Sequence, residues 1–188
     1  MSPKLSVCVY CGSRPGRKPE YMAEAERFGR MLAAEGWRLV YGAGDVGIMG
    51  AVARTAMGAG AETFGVIPGH LIRAEQGRRD LTRLVITETM HERKKVMFMN
   101  ADAIVMLPGG AGSLDEFFEV LTWAQLGLHA KPIVLIDTLG YWQPLLALLD
   151  HAIAEGFAEA ALKAHIAPVP DADAAVGRLR VRSAAPAE

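Results

Sequence analysis

The sequence predicts a doubly wound α/β fold, a parallel sheet with helices on both faces. Three observations lead there. The strand candidates "SVCVY", "AIVML" and "PIVLID" are continuous apolar runs, as strands covered on both faces are. Segments of helical spacing separate them almost throughout. The chain has 188 residues, 51% of them hydrophobic, which suits one domain with a substantial core.

The elements follow in order. "KLSVCVY" reads as a buried strand. "PEYMAEAERFGRMLAAEG" has helical spacing, with Pro19 near its start and Gly36 at its end. "WRLVYG" is the second strand, "GIMGAVARTAMGAG" a small-residue helix and "TFGVIP" the third strand. Residues 69–83 show no clear period and read as loop. "LVITE" is a short strand, "MHERKKVMFMNA" a helix and "AIVML" a strand. "SLDEFFEVLTWAQLG" is a helix ending at Gly127, and "PIVLID" another strand. "YWQPLLALLDHAIAEG" is a helix with Pro144 in its first turn. "HIAPVP" is a last short strand and "DADAAVGRLR" a short helix. One domain is expected over residues 1–182, with a tail, 183–188, that need not be ordered.

Composition narrows the function. Twenty basic residues face twenty-one acidic ones, a formal net charge of -1, which suggests no nucleic-acid partner. No apolar run reaches membrane-spanning length. The segment "MSPKLSVCVYCGS" is short and strand-like for a signal peptide, so a cytoplasmic protein is expected. Cys8 and Cys11 form a lone C-x-x-C, a weak zinc signal. Cys8 lies inside an apolar run, so both read as small strand residues with free thiols. No metal cluster is legible.

Ligands of such a sheet bind beyond the carboxyl ends of the strands. Two glycine loops sit there. "GAGDVG", Gly42 to Gly47, fits G-x-G-x-x-G, but it follows the second strand, and the next strand lacks a terminal acid for a ribose. It reads as a tight turn, or as a wall of a nucleotide site that holds no dinucleotide. "LPGGAGSLDE", residues 107–116, runs from a strand into a helix. Glycines 109, 110 and 112 let the backbone approach a ligand. The unpaired first-turn amides and the helix dipole make an anion site, to which Ser113 adds a hydroxyl. The Gly-Lys-Ser/Thr of a P-loop is missing, which fits a monophosphate better than a triphosphate.

Two carboxylates follow. Ser113-x-x-Glu116 is a capping-box pattern, and Asp115 suits a helix start. Thr89 and Glu92 form a second such pattern. After it His91, Arg93, Lys94 and Lys95 crowd a helix start, where cations oppose the dipole. Placement against local preference points to function. Lys95 reads as solvated, and His91 as an ordinary histidine.

"YGAGDVGIMG", "MHERK" and "PGGAGSLDE" in this order resemble the LONELY GUY (LOG) family of nucleoside 5'-monophosphate phosphoribohydrolases, an older label for which is possible lysine decarboxylase. The resemblance runs from "VCVYCGS" to about "PIVLID". It implies a Rossmann-like nucleotide-binding fold, a homodimer and no cofactor. The implied activity is hydrolysis of the N-glycosidic bond of purine or cytokinin nucleoside 5'-monophosphates, AMP included, to free base and ribose 5-phosphate. Motif matching puts the catalytic pair on Arg93 and Glu116. The phosphate loop falls on Gly109, Gly110, Ala111, Gly112 and Ser113, with Leu114 beside it. Substrate contacts fall on Glu75, Lys94, Asp115 and Thr122. The chain departs from the family at Ser113 for Thr, Asp115 for Glu, Ala43 and Asp45 in the first loop, and Arg14 for Ser after "CGS". These bear on substrate preference more than on reaction type.

The implied mechanism sets the Glu116 carboxylate against the positive charge that develops at the anomeric carbon, with Arg93 positioning the substrate and Glu116 through a forked ion pair. Three rival readings stand beside it: a non-catalytic nucleotide-binding module, a pyridoxal-phosphate decarboxylase and a dinucleotide oxidoreductase.

Overall fold

The computed structural model describes residues 3–183. Among them, seven strands form one sheet in the order β4-β3-β2-β1-β5-β6-β7, and every neighbouring pair is parallel. The strands are β1 Ser6–Tyr10, β2 Arg38–Tyr41, β3 Thr63–Pro68, β4 Arg83–Thr87, β5 Ala103–Met106, β6 Ile133–Ile136 and β7 Ile166–Val169. The helices are α1 Pro19–Ala34, α2 Gly47–Gly58, α3 Met90–Met99, α4 Ala111–Gln125, α5 Gln143–Ala154 and α6 Ala172–Ser183. The doubly wound α/β expectation holds. Of the expected tail, Ser183 closes α6, and 184–188 lie outside the described residues.

Strand alternation sorts the core into two layers. Val7 and Val9 of β1, with Ala103 and Val105 of β5, meet α1, α2 and α6 through Phe28, Leu32, Val52 and Val176. Cys8, Tyr10, Ile104 and Met106 point the other way, onto Met97 of α3, Phe117 and Leu121 of α4 and Leu145 of α5. Such strands are apolar at nearly every position because both faces are covered, which is why they read as continuous runs.

The order also fixes where a ligand fits. From β1 the chain lays β2, β3 and β4 to one side, then returns to place β5 on the other. Connections leaving β1 and β5 therefore part in opposite directions and open a crevice at their carboxyl ends. The loops after Tyr10 and Met106 border it.

Two local differences matter. Helix α4 begins at Ala111 with Gly110 as its N-cap, two residues before the expected start at Ser113. Glycine at the N-cap is well tolerated, and nothing in "GAG" forbids a first turn. Residues 69–83, expected as loop, contain a 3-10 turn at Gly69–Leu71 and, at their end, the first residue of β4.

Candidate active site

A cavity of about 510 Å³ opens at the crevice. Helix α4 enters it end-on. Gly109, Gly110, Ala111, Gly112 and Ser113 all line it, and no side chain caps the helix. The first intrahelical bond runs from the Leu114 N–H to the Gly110 carbonyl at 3.1 Å. The amides before it are orphan donors at the positive end of the helix dipole. Gly109 is required by close approach: a Cβ there would overlap the Ser113 hydroxyl and the Gly12 backbone. The Tyr141 hydroxyl donates to the Gly109 carbonyl at 2.6 Å, so one acceptor of the loop is already occupied. Tyr141 stands edge-on to Tyr21, ring centres 5.6 Å apart, and both line the cavity.

Helix α3 supplies the opposite wall, and it is capped. Thr89 accepts from the Glu92 N–H at 3.2 Å, and Glu92 accepts from the Thr89 N–H at 3.2 Å. The Arg93 residue is 5% exposed. Its Nε donates to the Val66 carbonyl at 3.1 Å, and its Nη2 donates to the Gly42 carbonyl and the Glu75 carboxylate, both at 2.8 Å. Gly42 is the second glycine that close approach requires, since a Cβ there would collide with this guanidinium. The first glycine of "GAGDVG" thus lines the cavity and seats Arg93. Arg93 ion-pairs with Glu75. The forked pair with Glu116 is not formed, because Glu75, carried in by the 69–83 segment, occupies that guanidinium edge. Among the described residues the remaining nitrogen, Nη1, has only the Met90 sulfur at 4.0 Å.

Lys94, also buried, turns to α4, and its Nζ lies 2.9 Å from both Asp115 and Glu119 carboxylates. Burial pulls this ammonium's proton affinity down, but the two carboxylates outweigh it and hold the pKa above the usual lysine value. Because Arg93 precedes Lys94 and Glu116 follows Asp115, this strut fixes the relative setting of the two helices that carry the proposed catalytic pair.

Glu116 lies in the second turn of α4 and lines the cavity. Among the described residues its carboxylate makes no hydrogen bond or ion pair. The capping-box reading of Ser113-x-x-Glu116 is therefore corrected: Ser113 is the third residue of the helix, not its N-cap. Burial pushes the Glu116 pKa up, Arg93 opposes the rise, and Asp115 and Glu75 add to it, to a final value of about 8.

Of the residues expected from sequence, the cavity gathers Glu75, Arg93, Gly109, Gly110, Ala111, Gly112, Ser113, Asp115 and Glu116. Leu114 packs into the α3–α4–α5 core layer instead. Lys94 acts between helices, and Thr122 is exposed further along α4; neither lines the cavity. His91 and Lys95 are exposed. Cys8 is buried, Cys11 partly so, and both thiols are free with pKa values raised by burial. Tyr21 and Tyr141 went unread; Tyr141 follows the end of β6, the sort of position where sheets of this class place ligand contacts. Among the described residues no group of three or more His, Cys, Asp or Glu is placed to hold a metal ion.

Fold and cavity define a doubly wound α/β protein with an uncapped helix end at the switch of its sheet and, among the described residues, an unpartnered carboxylate one turn away. The comparisons sharpen that class. Residues 49–179 match the family model described as "possible lysine decarboxylase". A cytokinin riboside 5'-monophosphate phosphoribohydrolase of Rhodococcoides fascians is 43% identical over 176 residues, 93% of this chain and 89% of that protein. One of Arabidopsis thaliana is 40% identical over 173 residues, 92% and 80% of the two chains. The protein belongs to the LOG family. Solved structures show the same fold at lower identity. The molybdenum cofactor carrier protein of Chlamydomonas reinhardtii superposes with a TM-score of 0.71 at 20% identity, covering 96% and 97% of the chains. The molybdenum cofactor binding protein of Rippkaea orientalis does so at 0.71 and 21%, covering 97% and 98%.

Proposed function

We propose that this protein hydrolyses the N-glycosidic bond of purine or cytokinin nucleoside 5'-monophosphates, releasing the free base and ribose 5-phosphate. One observation carries the reading: the unpartnered Glu116 carboxyl shares its cavity with the uncapped amino end of α4. The α4 amides and the Ser113 hydroxyl hold the 5'-phosphate. The ribose then lies against Glu116, held there rather than meeting it by diffusion. As the base departs, positive charge grows at the anomeric carbon. That charge favours the ionised form of Glu116, which stabilises it and takes a proton from the attacking water. The water oxygen bonds to the anomeric carbon as the glycosidic bond breaks, and the base leaves with that bond's electron pair and takes up a proton from solvent, while Glu116 returns the proton it gained to water. Arg93, fixed by two carbonyls and Glu75, offers Nη1 to the substrate. A pKa near the working pH suits a group that must give and take a proton.

Decarboxylation on a Schiff-base lysine fits less well. Such a lysine needs a lowered pKa. Lys94 has a raised one and is held by two carboxylates, and among the described residues no lysine lines the cavity.

Residues 1–182 act as one nucleotide-binding unit in this reading. The LOG resemblance also supports a homodimer, and exposed Met99 of α3, Phe118 of α4 and Leu126 just past the end of α4 give apolar surface for it. Sedimentation at micromolar concentration tests this, and a monomer there counts against it. A cytoplasmic location accords with a nucleoside monophosphate substrate. Among the described residues no helix is long and apolar enough to cross a membrane.

The direct test incubates the protein with AMP, isopentenyladenosine 5'-monophosphate and the two nucleosides, and separates released base by chromatography. Base from the monophosphates and little from the nucleosides is expected. Tight nucleotide binding without base release would replace the hydrolase reading with that of a binding module.

A further inference from the structure

We propose that Arg14 is a specificity-determining residue of this cavity: its guanidinium binds the 5'-phosphate beside the α4 amides and sets the preference for nucleotide over nucleoside. The inference rests on the reading above and extends it to a residue that the motifs do not supply.

Four observations support it. The loop after β1 is clamped against the cradle. The Gly12 N–H donates to the Pro108 carbonyl at 3.0 Å, and a Cβ on Gly12 would stand 3.2 Å from the Gly109 Cα. The same loop is tied to the start of α2. The Met49 N–H donates to the Gly12 carbonyl at 3.2 Å, and the Arg14 backbone fills the space beside Gly47. Arg14 is therefore held between the amino ends of two helices, neither with a side-chain cap, where both dipoles favour an anion. Finally, Arg14 lines the cavity and, among the described residues, makes no hydrogen bond or ion pair.

The charges around the cavity show what this cation is free to do. Arg93 is paired with Glu75, and Lys94 with Asp115 and Glu119. Arg78, on the 69–83 segment, is paired with Asp45 and Asp80. Each of those cations is neutralised by a carboxylate of the protein, whereas Arg14 has no such partner among the described residues. Its fork matches two phosphate oxygens at once.

The test compares wild type, R14S and R14K in two assays. Calorimetry with ribose 5-phosphate reads phosphate binding without turnover. Base release from AMP and adenosine reads catalysis. R14S is expected to raise the ribose 5-phosphate Kd and the KM for AMP about tenfold or more, with kcat within about twofold, in line with a lost charge-assisted hydrogen bond. Adenosine cleavage should stay as it was. R14K should recover part of the loss, because it keeps the charge and loses the fork. Raising salt should weaken ribose 5-phosphate binding less in R14S than in wild type.

Equal Kd values for wild type and R14S overturn the proposal, as does a wild type that does not bind ribose 5-phosphate. Arg14-dependent binding with no base released from any monophosphate leaves the proposal standing and sinks the hydrolase reading. Base release with a KM indifferent to Arg14 does the reverse.

Discussion

Helices α3 and α4 reach the same cavity, and each carries a hydroxyl residue followed three positions later by glutamate. In α3 the pattern is a capping box: Thr89 and Glu92 exchange bonds with each other's amides, and the helix end is closed. In α4 the same spacing caps nothing. The helix starts earlier, at Gly110, its first amides stay open, and Glu116 points into the cavity without a partner. One pattern gives a structural lock in one place and, among the described residues, an unpartnered carboxyl in the other. The difference comes from the residues in front. Glycines let α4 begin upstream of Ser113, whereas α3 begins directly after the β-branched Thr89.

The largest effect expected from that contrast is at Glu116. Glu116→Gln should cut turnover on AMP by about 10²-fold or more, as loss of a general base does, with an unchanged circular dichroism spectrum. Near-normal turnover would make Glu116 as passive as Glu92. Next, the open helix end can be closed. Nothing lies within 4 Å of a Cβ placed on Gly110, so Gly110→Asp fits and supplies the missing cap. Its carboxylate competes with phosphate for the same amides. The KM for AMP should rise by about tenfold or more, while the melting temperature holds or rises slightly. A fall in melting temperature with an unchanged KM would refute the open-end reading.

The mirror change opens the closed end. Thr89→Ala should cost about 1 kcal/mol of stability in chemical denaturation and leave the KM for AMP near the wild-type value. A large KM change would mean that the α3 box does more than hold its helix.

Titration gives a finer distinction. The Glu116 pKa is about 8 in the folded chain against an ordinary 4.5. Between these values the unfolded chain has released a proton that the folded one keeps, so stability falls as pH rises. Below the lower value the contribution is fully present, and above the upper it is lost. The melting temperature of Glu116→Gln minus that of wild type should therefore grow from pH 4.5 to 8 and then level off. A flat difference would mean that the carboxyl ionises normally. In the free enzyme, kcat/KM should rise with pH through the same upper value. The smallest effect is at Tyr141. Tyr141→Phe frees the Gly109 carbonyl beside a bound phosphate, and a few-fold rise in KM with unchanged kcat is expected from one lost hydrogen bond. A fall in kcat alone would place Tyr141 in the chemistry instead.

Much of this was legible in the sequence. Strand β3 reads directly as "TFGVIP", because an apolar run between glycine-rich turns has few other fates. Arg93 and Glu116 could be named because "MHERK" and "PGGAGSLDE" resemble the motifs of the LOG family, whereas the glycine loop was legible from its own residues. The start of α4 was misplaced because glycine is silent about whether a helix has begun. The partnership of Arg93 with Glu75 was hidden as well. Eighteen residues separate them, one lies in a segment without periodicity, and only the folded path of 69–83 brings them together. Leu114 and Thr122 flank the motif in sequence, but the helical turn sends one into the core and the other to solvent.

The anion cradle and Glu116 belong to a single rigid rod, and this has its own consequence. From Ser113 to Glu116 the axis advances about 4.5 Å, at roughly 1.5 Å per residue. For the proposed reaction such a rod is a gauge with two fixed marks, one for phosphorus and one for the carbon to be attacked. An isomer bearing its phosphate on the 3'-oxygen would meet the first mark and miss the second. Selection among positional isomers would then be a matter of length, already decided when the backbone coiled.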